Sequence, residues 1–141
     1  MLSFEHVREA KNVNSVIPPA MARQFTILLV EDDSDVRDVG ADILDARNFK
    51  VLAARDGYDA IRLLTAYHVD VMFTDIVMPG LSGFELAAQA KLIRPALRVL
   101  FTTGYDGNAP GRELALHHGK ILQKPLRADA LIAAIEDALT A

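Results

Sequence analysis

Four short polar groups in this sequence each follow an apolar run, and their residue types together could carry phosphoryl chemistry. Glu31-Asp32-Asp33 follows Ile27 to Val30, and Asp75 follows the run from Val69 to Thr74. Thr102-Thr103-Gly104 closes the run that starts at Leu97, and Gln123-Lys124-Pro125 follows Ile121-Leu122. If the strands ending at Glu31 and Asp75 are neighbours, roughly 4.8 Å apart, three carboxylates crowd one small pocket. Such charges repel, and a hard divalent cation with oxygen ligands relieves the repulsion. Mg²⁺ suits the set because it needs only one or two carboxylates, keeps several waters and accepts a phosphate oxygen; Mn²⁺ is the alternative ion. Glu31, Asp32 and Asp75 are therefore candidate metal ligands, whereas Asp33 and Ser34 read as caps of the next helix. Lys124 alone would be no more than an ion-pair partner. With Asp75, a cation and Thr103, it completes a nucleophilic carboxylate, a metal, a hydroxyl donor and a phosphate-pairing ammonium, the parts that phosphoryl transfer needs.

The elements that must position these residues follow from hydropathy period. Thr26 to Val30 is a continuous apolar run, too short for a helix and suited to a strand buried on both faces. A helix follows from Ser34, with Val36, Val39, Ile43 and Leu44 on one face and Asn48 as its stop. The alternation then repeats: strand Val51 to Ala54, helix Gly57 to Tyr67, strand Val69 to Thr74. The loop Met78-Pro79-Gly80-Leu81-Ser82-Gly83 leads to a helix from Phe84 to about Leu92 and a strand from Leu97 to Thr102. A short helix near Arg112 to His117, a short strand Ile121-Leu122 and a helix from about Asp129 complete the pattern. Five apolar strands alternating with five amphipathic helices predict a doubly wound α/β sandwich, three layers around a parallel sheet. In the flavodoxin-like order 2-1-3-4-5, ligands bind beyond the carboxyl ends of strands one and three, where Glu31 and Asp75 fall.

Composition narrows the function classes. The 141 residues suit a single domain, and 51% hydrophobic with 24% charged residues excludes a disordered or low-complexity chain. No cysteine is present, which rules out a thiolate metal site, a Cys nucleophile or a disulfide framework. A net charge of -4 disfavours direct nucleic-acid binding. No apolar run is long enough for membrane insertion and the first residues are unlike a signal peptide, so a cytoplasmic location is expected. Residues 1–24, with Pro18-Pro19, read as a poorly ordered extension or linker before a domain over 25–141. His6 lacks the surroundings of a phosphodonor histidine, and His117-His118 reads as a helix end. The glycines lack nucleotide-binding spacing.

From Phe25 to Ala141 the chain resembles the receiver domain of two-component response regulators. The resemblance rests on Ile27-Leu28-Leu29-Val30-Glu31-Asp32-Asp33, on Asp70 through Gly80 with Asp75-Ile76-Val77-Met78-Pro79-Gly80, on Thr103, and on Lys124-Pro125. It implies that Asp75 is the phosphoacceptor and that Glu31, Asp32, Asp75 and the backbone carbonyl of Val77 hold Mg²⁺. Thr103 would bond the phosphoryl group, with Thr102 as the competing hydroxyl, Lys124 would pair with it, and the Lys124-Pro125 peptide would be cis. In-strand alternation and the small residue Gly104 favour Thr103. Ile121 stands where the family often has Tyr or Phe, so an aromatic swing is not expected; Tyr105 could supply an aromatic surface instead.

The resemblance further implies a histidine kinase or histidine phosphotransfer protein as donor and a downstream protein as target. It also implies a homodimer contact through the fourth helix, fifth strand and fifth helix. A single-domain regulator is the leading expectation, since no output domain follows the fifth helix; a receiver from a hybrid histidine kinase is the alternative. A phosphatase with an aspartyl-phosphate intermediate would carry a second Asp two residues after the nucleophile, where this chain has Val77.

Overall fold

The computed structural model describes residues 24–104 and 119–140. Its elements are β1 (Thr26–Val30), α1 (Ser34–Asp45), β2 (Lys50–Ala54), α2 (Gly57–Ala66), β3 (Val71–Asp75), α3 (Gly83–Ile93), β4 (Arg98–Thr103), β5 (Ile121–Gln123) and α4 (Ala128–Thr140). The strands form one parallel sheet in the order β2-β1-β3-β4-β5, the order expected of the flavodoxin-like class. The expected short helix near Arg112 to His117, along with Tyr105, His117-His118 and residues 1–23, lies outside the described residues.

Alternating side chains divide the sheet into two packed faces. Leu28, Val30, Met72, Val99 and Phe101 face Ala60, Leu63 and Leu64 of α2 and Leu86, Ala87 and Ala90 of α3. Ile27, Leu29, Val71, Phe73 and Leu100 face Leu44 of α1 and Leu131, Ile132 and Ile135 of α4. Every residue of β1 and β3 is buried, which is why both read as unbroken apolar runs, whereas the edge strands β2 and β5 are partly exposed. The chain leaves β1 toward the α1 face and returns to β3 by way of α2 on the other face. A crevice therefore opens where β1 and β3 end.

The helix starts are fixed by side-chain caps, and one differs from expectation. Asp33, with an extended backbone, accepts the Asp35 and Val36 amides and is the N-cap of α1; Ser34 is its first helical residue. The cap sits one position earlier because the Asp33 carboxylate already satisfies two of the free amides of the first turn. Ser82 and Glu85 form a reciprocal capping box at α3, each side chain bonding the other's amide. Asn48 ends the α1 connection with φ of 69°, a left-handed turn that Asn tolerates. Two strands start and end later than hydropathy implies, β3 covering Val71–Asp75 and β4 covering Arg98–Thr103, while β2 starts one residue earlier, at Lys50. Ladder pairing, rather than apolar character, sets these bounds.

Candidate functional site

The carboxyl ends of β1 and β3 bring Glu31, Asp32 and Asp75 together, with one carboxylate oxygen of each within 4.8 Å of the others. Parallel pairing of Val30 with Thr74 produces this, since each strand's next residue is an acid. Glu31 is 2% exposed and Asp75 5%, while Asp32 is open to solvent. Lys124 follows β5 and reaches across the end of the sheet. Its Nζ lies 2.8 Å from Glu31 Oε1 and donates to Asp75 Oδ2 at 3.1 Å. The lysine backbone is held too, its amide donating to the Thr103 carbonyl at 2.8 Å, and the Lys124-Pro125 peptide is cis.

Burial dominates the electrostatics of Glu31 and raises its pKa above the usual 4.5; the Lys124 bond and the Asp33 amide oppose that rise, and the charge of Asp75 adds to it. Burial of the Lys124 ammonium disfavours its charge, but bonds to Glu31 and Asp75 and their negative charges outweigh this and raise it above 10.5. Three acids against one ammonium leave excess negative charge at an opening made of hard oxygen donors. With the exposed Asp32 leaving room for retained waters, the residues fit a divalent cation of the Mg²⁺ type.

The sheet register places the two candidate hydroxyls differently. Thr102 is the direct partner of Asp75, and Thr103 lies one residue beyond. Thr102 shares the face of Leu100 and Phe73, the face on which Asp75 also falls, and Thr103 shares that of Phe101. Both threonines are buried. Val77 is half-exposed, and its amide points to Asp75 Oδ1 at 3.4 Å, which sets its main chain beside the Asp75 carboxylate. Ile121 faces the first core cluster.

Two supporting residues escape a sequence reading because their contacts cross elements. Arg37, one turn into α1, donates from Nη1 to the Glu31 carbonyl at 2.7 Å and ties the helix back to the end of β1. Gly83, the first residue of α3, donates its amide to the Ile76 carbonyl at 2.8 Å. A Cβ at Gly83 would stand 2.4 Å from the Asp75 carbonyl oxygen, so only glycine lets α3 begin against the Asp75 backbone. Its sequence signal, a glycine after the turn Gly80-Leu81-Ser82, reads as turn chemistry alone.

Among the described residues no helix is long and apolar enough to cross a membrane. The chain is 34% identical over 122 residues to the response regulator receiver protein CpdR of Brucella abortus (strain 2308), with 82% of this chain and 97% of that protein covered. It is 31% identical to the transcriptional regulatory protein GlrR of Escherichia coli (strain K12), with 80% of this chain but 26% of that protein covered. It therefore spans about a quarter of GlrR's length. Among solved structures, the receiver domain of the hybrid histidine kinase CckA superposes with a TM-score of 0.68 at 30% identity, covering 81% of this chain and 98% of that one. The family model of the response regulator receiver domain matches residues 27–136, and with the acids, the lysine and the sheet order in place, the chain belongs to that family.

Proposed function

We propose that Asp75 accepts a phosphoryl group from a phosphohistidine of a histidine kinase or histidine phosphotransfer protein, and that the phosphorylated domain signals by protein contact. The observation that carries this reading is the grip of Lys124 on both Asp75 and Glu31 beside three clustered carboxylates. An Asp75 carboxylate oxygen attacks phosphorus, the P–N bond breaks, and the imidazole leaves with the electron pair and takes up a proton. Asp75 is the nucleophile, Lys124 pairs with charge on the transferred group, and Thr103 donates a hydroxyl to it. Glu31, Asp32, Asp75 and the Val77 carbonyl would hold Mg²⁺, which when bound supplies charge neutralisation at the transferred phosphoryl oxygens. The site acts in the cytoplasm, where such donors present their phosphohistidine.

A stand-alone regulator is the favoured form, supported by the 97% coverage of the receiver protein CpdR. The likeness to the CckA receiver supports the second form, a receiver acting within a hybrid kinase. Family membership sets the chain among phosphoacceptor signalling domains, and Val77 leaves the general-acid position of an aspartyl-phosphate phosphatase without a carboxyl. Intact-mass measurement after incubation with acetyl phosphate and Mg²⁺ tests the acceptor: one added phosphoryl group is expected in the native protein and none in Asp75→Asn. Equal incorporation in both proteins would overturn the assignment.

A further inference from the structure

A parallel strand pair sets the side chains of register partners side by side on one face. Thr102 is the partner of Asp75 on β4, and the Ile76 amide donates to the Thr102 carbonyl at 3.0 Å, which locks that register beyond the acceptor. The preceding pair on this face, Phe73 and Leu100, packs in the apolar cluster with Ile132 and Ile135. A threonine continuing such a stripe adds a hydroxyl where an apolar residue would pack as well. Thr102 is 2% exposed, and its Oγ1 has no hydrogen-bond partner among the described residues. A buried hydroxyl without a partner costs stability, of the order of 1–3 kcal/mol, so its retention next to the acceptor points to a partner that another state of the site provides.

We propose that Thr102 is a positioning residue for Asp75: its hydroxyl donates to the Asp75 carboxyl oxygen that Lys124 releases when the ammonium turns to an arriving phosphoryl group. In the structure Lys124 occupies Asp75 Oδ2 at 3.1 Å, so that oxygen already has its donor. Once Lys124 pairs with phosphoryl oxygens, a carboxyl oxygen of Asp75 loses its donor while the Thr102 donor is still unused, and the two groups sit on one sheet face. Thr103, one residue beyond that register partner, keeps its proposed role toward the phosphoryl group itself. This inference rests on the reading of Asp75 as phosphoacceptor.

Thr102→Val removes the hydroxyl and keeps the branched shape, while Thr102→Ser keeps the hydroxyl and removes the methyl. With acetyl phosphate and Mg²⁺, Thr102→Val is expected to phosphorylate about fivefold more slowly at saturating donor, the size of one neutral hydrogen bond, with the half-saturating donor concentration unchanged. Its thermal unfolding midpoint is expected to equal or exceed that of the native protein, because the unfilled hydroxyl is gone. Thr102→Ser is expected to keep the native rate within about twofold, since the hydrogen bond survives. A native rate in Thr102→Val, or equal losses in both variants, would overturn the proposal while native phosphorylation abolished by Asp75→Asn leaves the acceptor reading standing. Failure of the native protein to take up phosphoryl would overturn both.

Discussion

The two ends of the same sheet use acidic residues in opposite ways. At the amino end, Asp70 ties β3 to β1: Oδ2 accepts the Thr26 amide at 2.8 Å, Oδ1 sits 2.9 Å from His68 Nε2, and the Asp70 amide donates to the Thr26 carbonyl. Each oxygen of that carboxylate meets a group that satisfies it, so the acid is a clamp. At the carboxyl end, Glu31, Asp32 and Asp75 cluster while the Lys124 ammonium pairs with Glu31 and Asp75 alone, and negative charge is left over. The residue type is common to both ends; what makes one of them a site is charge that the fold itself leaves unbalanced.

The largest expected effect separates the two ends outright. Asp75→Asn should abolish phosphoryl incorporation, whereas Asp70→Asn should leave it intact; an Asp70 variant as dead as the Asp75 variant would collapse the contrast. Within the carboxyl end, Asp32→Ala should weaken Mg²⁺ binding at least about tenfold, measured by titration. Asp33→Ala should instead cost about 1 kcal/mol of stability through the lost cap and leave Mg²⁺ affinity near native. Equal Mg²⁺ losses would move the ligand assignment by one residue.

Smaller effects sharpen the comparison. By the family resemblance, the positions two residues after Asp75 and two after Thr103 flank the approach of water to phosphorylated Asp75. Here they are Val77 and Tyr105, neither a carboxylate nor a carboxamide. Slow self-dephosphorylation is therefore expected, and Val77→Asn with Tyr105→Glu should speed it severalfold in excess Mg²⁺. No acceleration would show that these two positions do not set the lifetime. The Lys124 pairing stabilises the folded state fully below pH 10.5, since its folded pKa is raised, and is lost as pH climbs through that raised value. An alkaline fall in the unfolding midpoint should therefore be present in the native protein and absent in Lys124→Met. The smallest change belongs to the clamp: Asp70→Asn should cost about 1 kcal/mol in denaturant unfolding, a loss of stability without a loss of chemistry.

The architecture was legible because β1 and β3 are buried on both faces and so carry largely apolar runs, and because Glu31 and Lys124 directly follow strands and Asp75 ends one. Chemistry at strand ends can be read one strand at a time. What was illegible depends on pairs of strands or on contacts between elements. Strand alternation in the sequence favours Thr103 over Thr102, but the β3-β4 register overturns that argument, since Thr102 rather than Thr103 faces the side of Asp75. The start of β3 at Val71 rather than Val69 reflects Asp70, whose amide and carboxylate both turn to Thr26. Ser34 and Asp33 are both capping residue types, and backbone angles, not composition, decide between them. Arg37 and Gly83 gain their roles from the Glu31 and Asp75 main chains, six and eight residues away, which no local pattern records.

The unequal burial of the strands also sets clocks. Glu31 follows and Asp75 ends a strand flanked on both sides, whose amides are expected to exchange with solvent hydrogen only when the whole domain opens, whereas Lys124 follows the three-residue edge strand β5. Asp75 is thus expected to sit on a slowly exchanging part of the described sheet, and its ammonium partner beside an edge that exchanges sooner. An event at Asp75 that draws Lys124 inward should lengthen the exchange lifetimes of the Ile121, Leu122 and Gln123 amides while those of Leu28 and Phe73 stay fixed, so that a chemical change at the centre is written as a change of tempo at the edge.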